Sequence, residues 1–119
     1  MEPRLTAIDR REALSYLGCR GDAPPELLAD LDRCAALLLE TARPRLVWRR
    51  FSLTPEGLPL GTDFRPGGTD VKSLLAGCEA MILFAATLGA EADTLIRRTQ
   101  ARDMADAVIL DACASAALE

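Results

Sequence analysis

A change of period at Pro44 limits this 119-residue chain more than any other feature of its sequence. Before it, Leu27, Leu31, Cys34 and Leu38 recur at i, i+4, i+7 and i+11. That spacing gathers them into one stripe of a helix, and Glu26, Asp30 and Arg33 fall off it. Pro24 and Pro25 suit the first turn, where a missing N–H costs nothing, and Pro44 disfavours helical backbone in the residue before it. The helix is therefore expected to end near Ala42. Beyond Pro44 the pattern alternates: Val47, Phe51 and Leu53 share one parity with Arg49, and Leu46 and Trp48 share the other with Arg50. Period two is the signature of a strand in an antiparallel sheet. A chain carrying both periods reads as α+β, with several helices packed on a small, mainly antiparallel sheet. Aromatic residues are only 4% of the chain and the apolar half is rich in Ala and Leu, which weights the balance towards helix.

The flanking segments extend this reading. Asp9 and Glu12 have capping-box spacing, and the helix they open carries Leu14 and Leu17 inward and stops at Gly18. Thr54-Pro55-Glu56-Gly57 is turn chemistry, after which Leu58 and Leu60 are expected to return as a short strand. Gly61 to Gly68 reads as loop. Thr69 or Asp70 is expected to cap a short helix holding Val71, Leu74 and Leu75, closed by Gly77. The run Ala80 to Ala86 is apolar on both parities, which predicts a strand buried on both faces. Thr87-Leu88-Gly89 then turns into a helix with Ala92, Leu95, Ile96 and Thr99 on one side. Asp103 to Glu119 is a last helix, with Asp103 and Asp106 in its first turn and Met104, Val108 and Ala112 as its stripe. Its alanines at 112, 114, 116 and 117 admit a close neighbour. No stop signal follows Leu118, so residues 1–119 are expected to be the N-terminal part of a longer single-domain module.

Several functions are excluded by what is missing. Histidine is absent, which removes His-dependent catalytic triads and His-ligated metal from this chain. The net charge of −4 argues against nucleic acid and anionic membrane as partners. The longest apolar run is far short of a bilayer span, and Met1-Glu2-Pro3-Arg4 lacks the order of a signal peptide, so a cytoplasmic location is expected. The four cysteines include no Cys-x-x-Cys pair. Cys34, Cys78 and Cys113 lie in apolar surroundings and are expected to be reduced core residues. No nucleophile stands beside a base and no metal ligands are paired, so no catalytic or metal-binding residue is evident.

Three places remain as candidates for binding. Gly67-Gly68-Thr69-Asp70 opens a helix whose free N–H groups suit an anion, but it lacks the Lys of a P-loop, and a capped loop accounts for it as well. The turn Thr87-Leu88-Gly89 leaves a strand and opens a helix, where ligands often sit, and a tight connection explains its glycine equally. Asp111, Ser115 and Glu119, at i, i+4 and i+8, form one polar row on an otherwise Ala-rich helix. Carboxylates in that row can accept hydrogen bonds from an amino-bearing ligand, or simply face water. The arginines at 43, 45, 49, 50 and 65 offer an acidic partner a patch, with ordinary surface charge the competing account.

Leu83-Phe84-Ala85-Ala86-Thr87-Leu88-Gly89-Ala90-Glu91, followed by Ile109-Leu110-Asp111-Ala112-Cys113-Ala114-Ser115-Ala116-Ala117-Leu118-Glu119, resembles the activation-domain-like proteins of cobalamin-dependent methionine synthase. The leading segment Ile8 to Gly18 is similar to the start of their small stand-alone members. The resemblance implies an α+β module that binds S-adenosylmethionine and supports reductive methylation of a corrinoid cofactor. Cobalamin would be held by a partner domain or corrinoid-binding protein, and the module would be at most part of a methyltransferase system. The family's Arg-x-x-x-Gly-Tyr segment for S-adenosylmethionine is not in this chain: its single Tyr, Tyr16, precedes Leu17-Gly18. The resemblance therefore implies the first half of such a protein, with Asp111, Ser115 and Glu119 as the row that meets the ligand's amino group. The last helix is accordingly expected to form one wall of a pocket whose other wall lies outside these residues. The rival expectation is a non-catalytic interaction or assembly module, in which this helix and the exposed leucines are covered by a second copy or another chain.

Overall fold

The computed structural model describes residues 2–119 and is an α+β fold of five helices and a two-stranded antiparallel sheet. In chain order these are α1 (Arg10–Tyr16), α2 (Pro25–Thr41), β1 (Arg45–Ser52), α3 (Thr69–Leu75), β2 (Ala80–Thr87), α4 (Ala90–Arg102) and α5 (Met104–Ala117). The contacts divide them into two compact units. A helical unit runs to Leu46 and resumes at Ala86–Glu119, and a strand unit comprises Val47–Ala85.

Local chemistry sets the ends of α1. The Asp9 carboxylate accepts the N–H groups of Arg11 and Glu12 at 2.9 and 3.1 Å, filling two of the donors that a helix start leaves unpaired. At the other end Gly18 takes φ +75°, its N–H bonds Ser15 O at 3.0 Å, and Cys19 N–H reaches back to Leu14 O at 2.9 Å. This crossed pair is a Schellman ending, which needs a left-handed residue that glycine supplies without strain. In α2, Pro25 occupies the first position and Ala42 closes the helix as the Pro44 rule requires. Leu31, Cys34 and Leu38 of the expected stripe are buried, with Leu27 packed at its margin.

These helices close around α5, which α1, α2 and α4 all contact. Its buried residues are Ala107, Ile109, Leu110, Ala112, Cys113 and Ala116. The expected stripe of Met104, Val108 and Ala112 is corrected: Ala112 is inside, but Met104 and Val108 are 61% and 51% exposed. The helix is apolar around most of its girth, and its alanines allow neighbours to approach from two sides, which rotates the inner face towards Leu110 and Cys113. The same packing takes up the alanines: Ala112 is buried, Ala116 belongs to this unit's core and Ala114 and Ala117 rest on it, so the part of α5 left to form the expected pocket wall is its polar edge.

In the strand unit, Thr54 to Gly57 forms the expected turn, with Gly57 N–H on Thr54 O at 2.9 Å. The returning strand at Leu58 and Leu60 is corrected to a single bridge between Leu53 and Pro59, closed by Thr54 N–H on Leu58 O and Leu60 N–H on Ser52 O at 2.9 Å each, after which Gly61 takes φ +79°. Helix α3 starts from Gly68 at φ +83° and neither Thr69 nor Asp70 caps it. No residue of α3 is buried, and Val71 and Leu74 face solvent. The largest correction concerns β2. Its residues from Ile82 to Thr87 are exposed, not buried on both faces, because β1 is its sole strand neighbour and no helix covers it among the described residues. Cys78 is exposed as well, whereas Cys34 and Cys113 are buried, and all four thiols are free.

Candidate functional site

The polar row on α5 survives as an edge between its packed faces. Asp111 is exposed, Ser115 is half-buried, and Glu119 lies just past the helix, whose final cap is Leu118. Burial of Leu110, Ala112 and Cys113 fixes the rotation that turns Asp111 outwards. At the far end of the row the Tyr16 hydroxyl donates to Glu119 Oε1. Glu119 also stands against Glu12, and their shared hydrogen bond and like charge hold the Glu12 carboxyl above the usual range for a glutamic acid. The same hydrogen bond to Glu119, followed by desolvation, raises the Tyr16 phenol.

Neither Glu12 nor Tyr16 is among the binding candidates read from sequence. They lie four apart on α1 and so share a face, which is the signal that marks them as a pair. Nothing in the sequence says that this face meets Glu119, because that depends on how α1 packs on α5. The resulting cluster of two carboxyls and a phenol has no ion-pair partner within 4 Å among the described residues. A carboxylate has more lone pairs than one phenol uses, so Glu119 keeps acceptor capacity for an ammonium or other cationic donor.

The other candidates are accounted for by structure. Gly89 takes φ +95°, and a Cβ there would sit 3.2 Å from Arg43 O and 3.3 Å from Arg43 Cβ. Arg43 N–H bonds Leu88 O at 2.7 Å, and the Thr87 hydroxyl accepts Gly89 N–H at 3.0 Å, so this turn is spent on joining α4 to the end of α2. Gly67 and Gly68 lead only into the seven-residue α3. The arginines act separately. Arg43 binds the carbonyls of Glu40 and Ala42, Arg65 those of Thr62 and Phe64, and the Arg49 guanidinium lies 5.1 Å from the centre of the Phe51 ring.

Two open hollows lie on the surface of the described residues. One of about 370 Å³ follows α4 along Ala90, Glu91, Thr94, Leu95 and Arg98. The other, of about 450 Å³, lies on the sheet between Val47, Trp48 and Arg49 of β1 and Leu83, Phe84 and Ala85 of β2. Among the described residues no helix is long and apolar enough to cross a membrane. No protein-family model matches the chain, and no curated protein matches it.

Proposed function

We propose that this chain is the ligand-facing N-terminal part of an S-adenosylmethionine-binding module, which works in the cytoplasm beside a corrinoid-binding protein or domain in reductive methylation of the corrinoid. The observation that carries the reading is the acidic edge of α5, from Asp111 through Ser115 to the Glu12–Glu119 pair. Two carboxyls held together with no ion-pair partner within 4 Å among the described residues favour a cation beside them, and the ligand offers both an ammonium and a sulfonium. The helix that bears the edge is locked by a packed core, so its acceptors stand at fixed positions before a ligand arrives. The resemblance of the Leu83–Glu91 and Ile109–Glu119 segments to the methionine synthase activation domain supplies the identity of the ligand. Methyl transfer itself would take place between ligand and cobalt, with the protein contributing position and charge.

The test is a titration with S-adenosylmethionine followed by amide chemical shifts. Perturbations are expected at Asp111, Ser115, Glu119 and Glu12, and smaller ones with S-adenosylhomocysteine, which lacks the sulfonium charge. No perturbation along this edge at millimolar ligand would overturn the reading. The melting temperature is expected to move little, because the Arg-x-x-x-Gly-Tyr segment of the resembled family is not among these residues.

A further inference from the structure

The hollow on the sheet is lined by one charged residue among apolar ones, and that charge limits what can fill it. The Leu53 N–H bond to Glu79 O at 2.9 Å fixes the antiparallel register, which sets Val47, Trp48 and Arg49 across from Ala85, Phe84 and Leu83. These six residues line the hollow of about 450 Å³. Small-molecule sites occupy roughly 300–1,000 Å³, so the space is of the right size. Alternation puts Val47, Arg49, Leu83 and Ala85 on one face of the sheet, where Ala85 leaves room between larger neighbours. Arg49 is the only charged residue of the lining. Its guanidinium lies 5.1 Å from the centre of the Phe51 ring, a contact that steadies it and leaves its N–H fork available to an anion. No carboxylate lies within 4 Å of it among the described residues.

We propose that this hollow binds a small organic anion, an apolar body bearing a carboxylate that meets Arg49. The lining selects this occupant by exclusion. A neutral strand or apolar peptide laid over the hollow would take the Arg49 guanidinium out of water without a counterion, which is costly. A second copy docked through the same face about a two-fold axis would bring two Arg49 guanidinium groups together. The hollow also spans only three residues of each strand, about 10 Å, which suits a small molecule and falls short of a paired strand. A small carboxylate offers the guanidinium fork two oxygens in its own plane and lays its apolar part on Val47, Leu83 and Ala85. The proposal is independent of the ligand on the α5 edge, because every residue it uses lies in the strand unit and the charge it selects is opposite.

Pyrenebutyrate and pyrenebutanol share one body and differ in charge, and energy transfer from Trp48, the chain's single tryptophan, reports the binding of either. On the whole chain the acid is expected to bind about ten-fold more tightly than the alcohol, a preference that shrinks as salt is added. This comparison needs no variant to fold. Arg49→Gln is expected to abolish the preference while the alcohol binds as before, which also shows that the variant is folded. Arg98→Gln, in the hollow along α4, is expected to change neither affinity. Equal affinity for the two probes, a preference that survives Arg49→Gln, or its loss in Arg98→Gln would each overturn the proposal. So would a self-associated chain that admits neither probe, a result separate from any amide shift along the α5 edge with S-adenosylmethionine.

Discussion

The two units draw on similar apolar side chains and end in different states. In the helical unit Ala13, Leu31, Cys34, Leu38, Leu110 and Cys113 are almost wholly removed from water. In the strand unit, among the described residues, Phe51 is the one buried hydrophobic side chain, while Val47, Trp48, Leu74, Ile82 and Phe84 stay exposed. The difference lies in layering, not composition. A central helix can be covered on several sides by neighbours, as α5 is by α1, α2 and α4. Two strands offer only two faces, and neither unit of a lone ribbon can shield the other, which is why such ribbons are marginal in water. The core that sustains the fold therefore sits with the helices, and much of the apolar surface left exposed sits on the sheet.

The sharpest way to break this contrast is a matched pair of leucine truncations. Leu110→Ala, at a site 1% exposed, is expected to lower the free energy of unfolding by about 3 kcal/mol, from lost transfer energy and the cavity left behind. Leu74→Ala, at a site 74% exposed on α3, is expected to change it by less than about 0.5 kcal/mol. Urea unfolding monitored by circular dichroism measures both. Equal losses would mean that α3 has a partner holding Leu74 out of water.

A glycine pair sharpens the comparison at the level of backbone. Gly89 and Gly77 take φ +95° and +82°, but only Gly89 has backbone in the way of a Cβ. Gly77→Ala is expected to cost about 1 kcal/mol for its left-handed backbone alone. Gly89→Ala is expected to cost about 2 kcal/mol, since Arg43 adds a steric term to the same backbone penalty. The order of the two midpoints in denaturant checks whether the tight join lies in the helical unit.

Much of the helical unit was legible from sequence because its signals are local. The Asp9 cap, the Gly18 ending, the prolines before α2 and the Leu31–Leu38 stripe depend on neighbours within a few residues. The change of period at Pro44 likewise gave β1 and the α+β class. What failed depends on distant neighbours. A run such as Ala80–Ala86 has the composition of a buried central strand, but burial needs a layer on each face, which no local pattern encodes. The inner face of α5 was misread for a related reason: a helix apolar nearly all round gives no period from which to choose a side. In the candidate site, the i, i+4 row of Asp111 and Ser115 was legible from spacing. The approach of Glu12 and Tyr16 to Glu119 was not, because it joins residues at opposite ends of the chain.

The smallest expected effect concerns charge, and it too separates the units: the three ion pairs of the described residues all lie in the helical unit. Arg33 grips both oxygens of Asp106 at 2.8 and 2.9 Å, tying α2 to the first turn of α5. Hydrogen bonding to Arg33 holds the Asp106 carboxyl below its ordinary value of 3.8. A carboxyl that is more acidic when folded adds stability above its unfolded value, and that contribution is lost as the pH falls through the lower folded one. Glu12 works in the opposite sense. Glu119 raises its pKa above the usual 4.5, so its contribution is fully present below that value and fades as the pH rises through the folded one. Asp106→Asn should therefore lower Tm by about a degree or two at neutral pH, the scale of a half-exposed pair, with the difference from wild type vanishing in strong acid. Glu119→Gln should instead raise Tm slightly at neutral pH by relieving Glu12, offset in part by the weakened bond to Tyr16. Calorimetric scans from pH 2 to pH 8 follow both variants. Parallel curves for Asp106→Asn and wild type across the acid limb would show that Arg33 does not fasten α2 to α5.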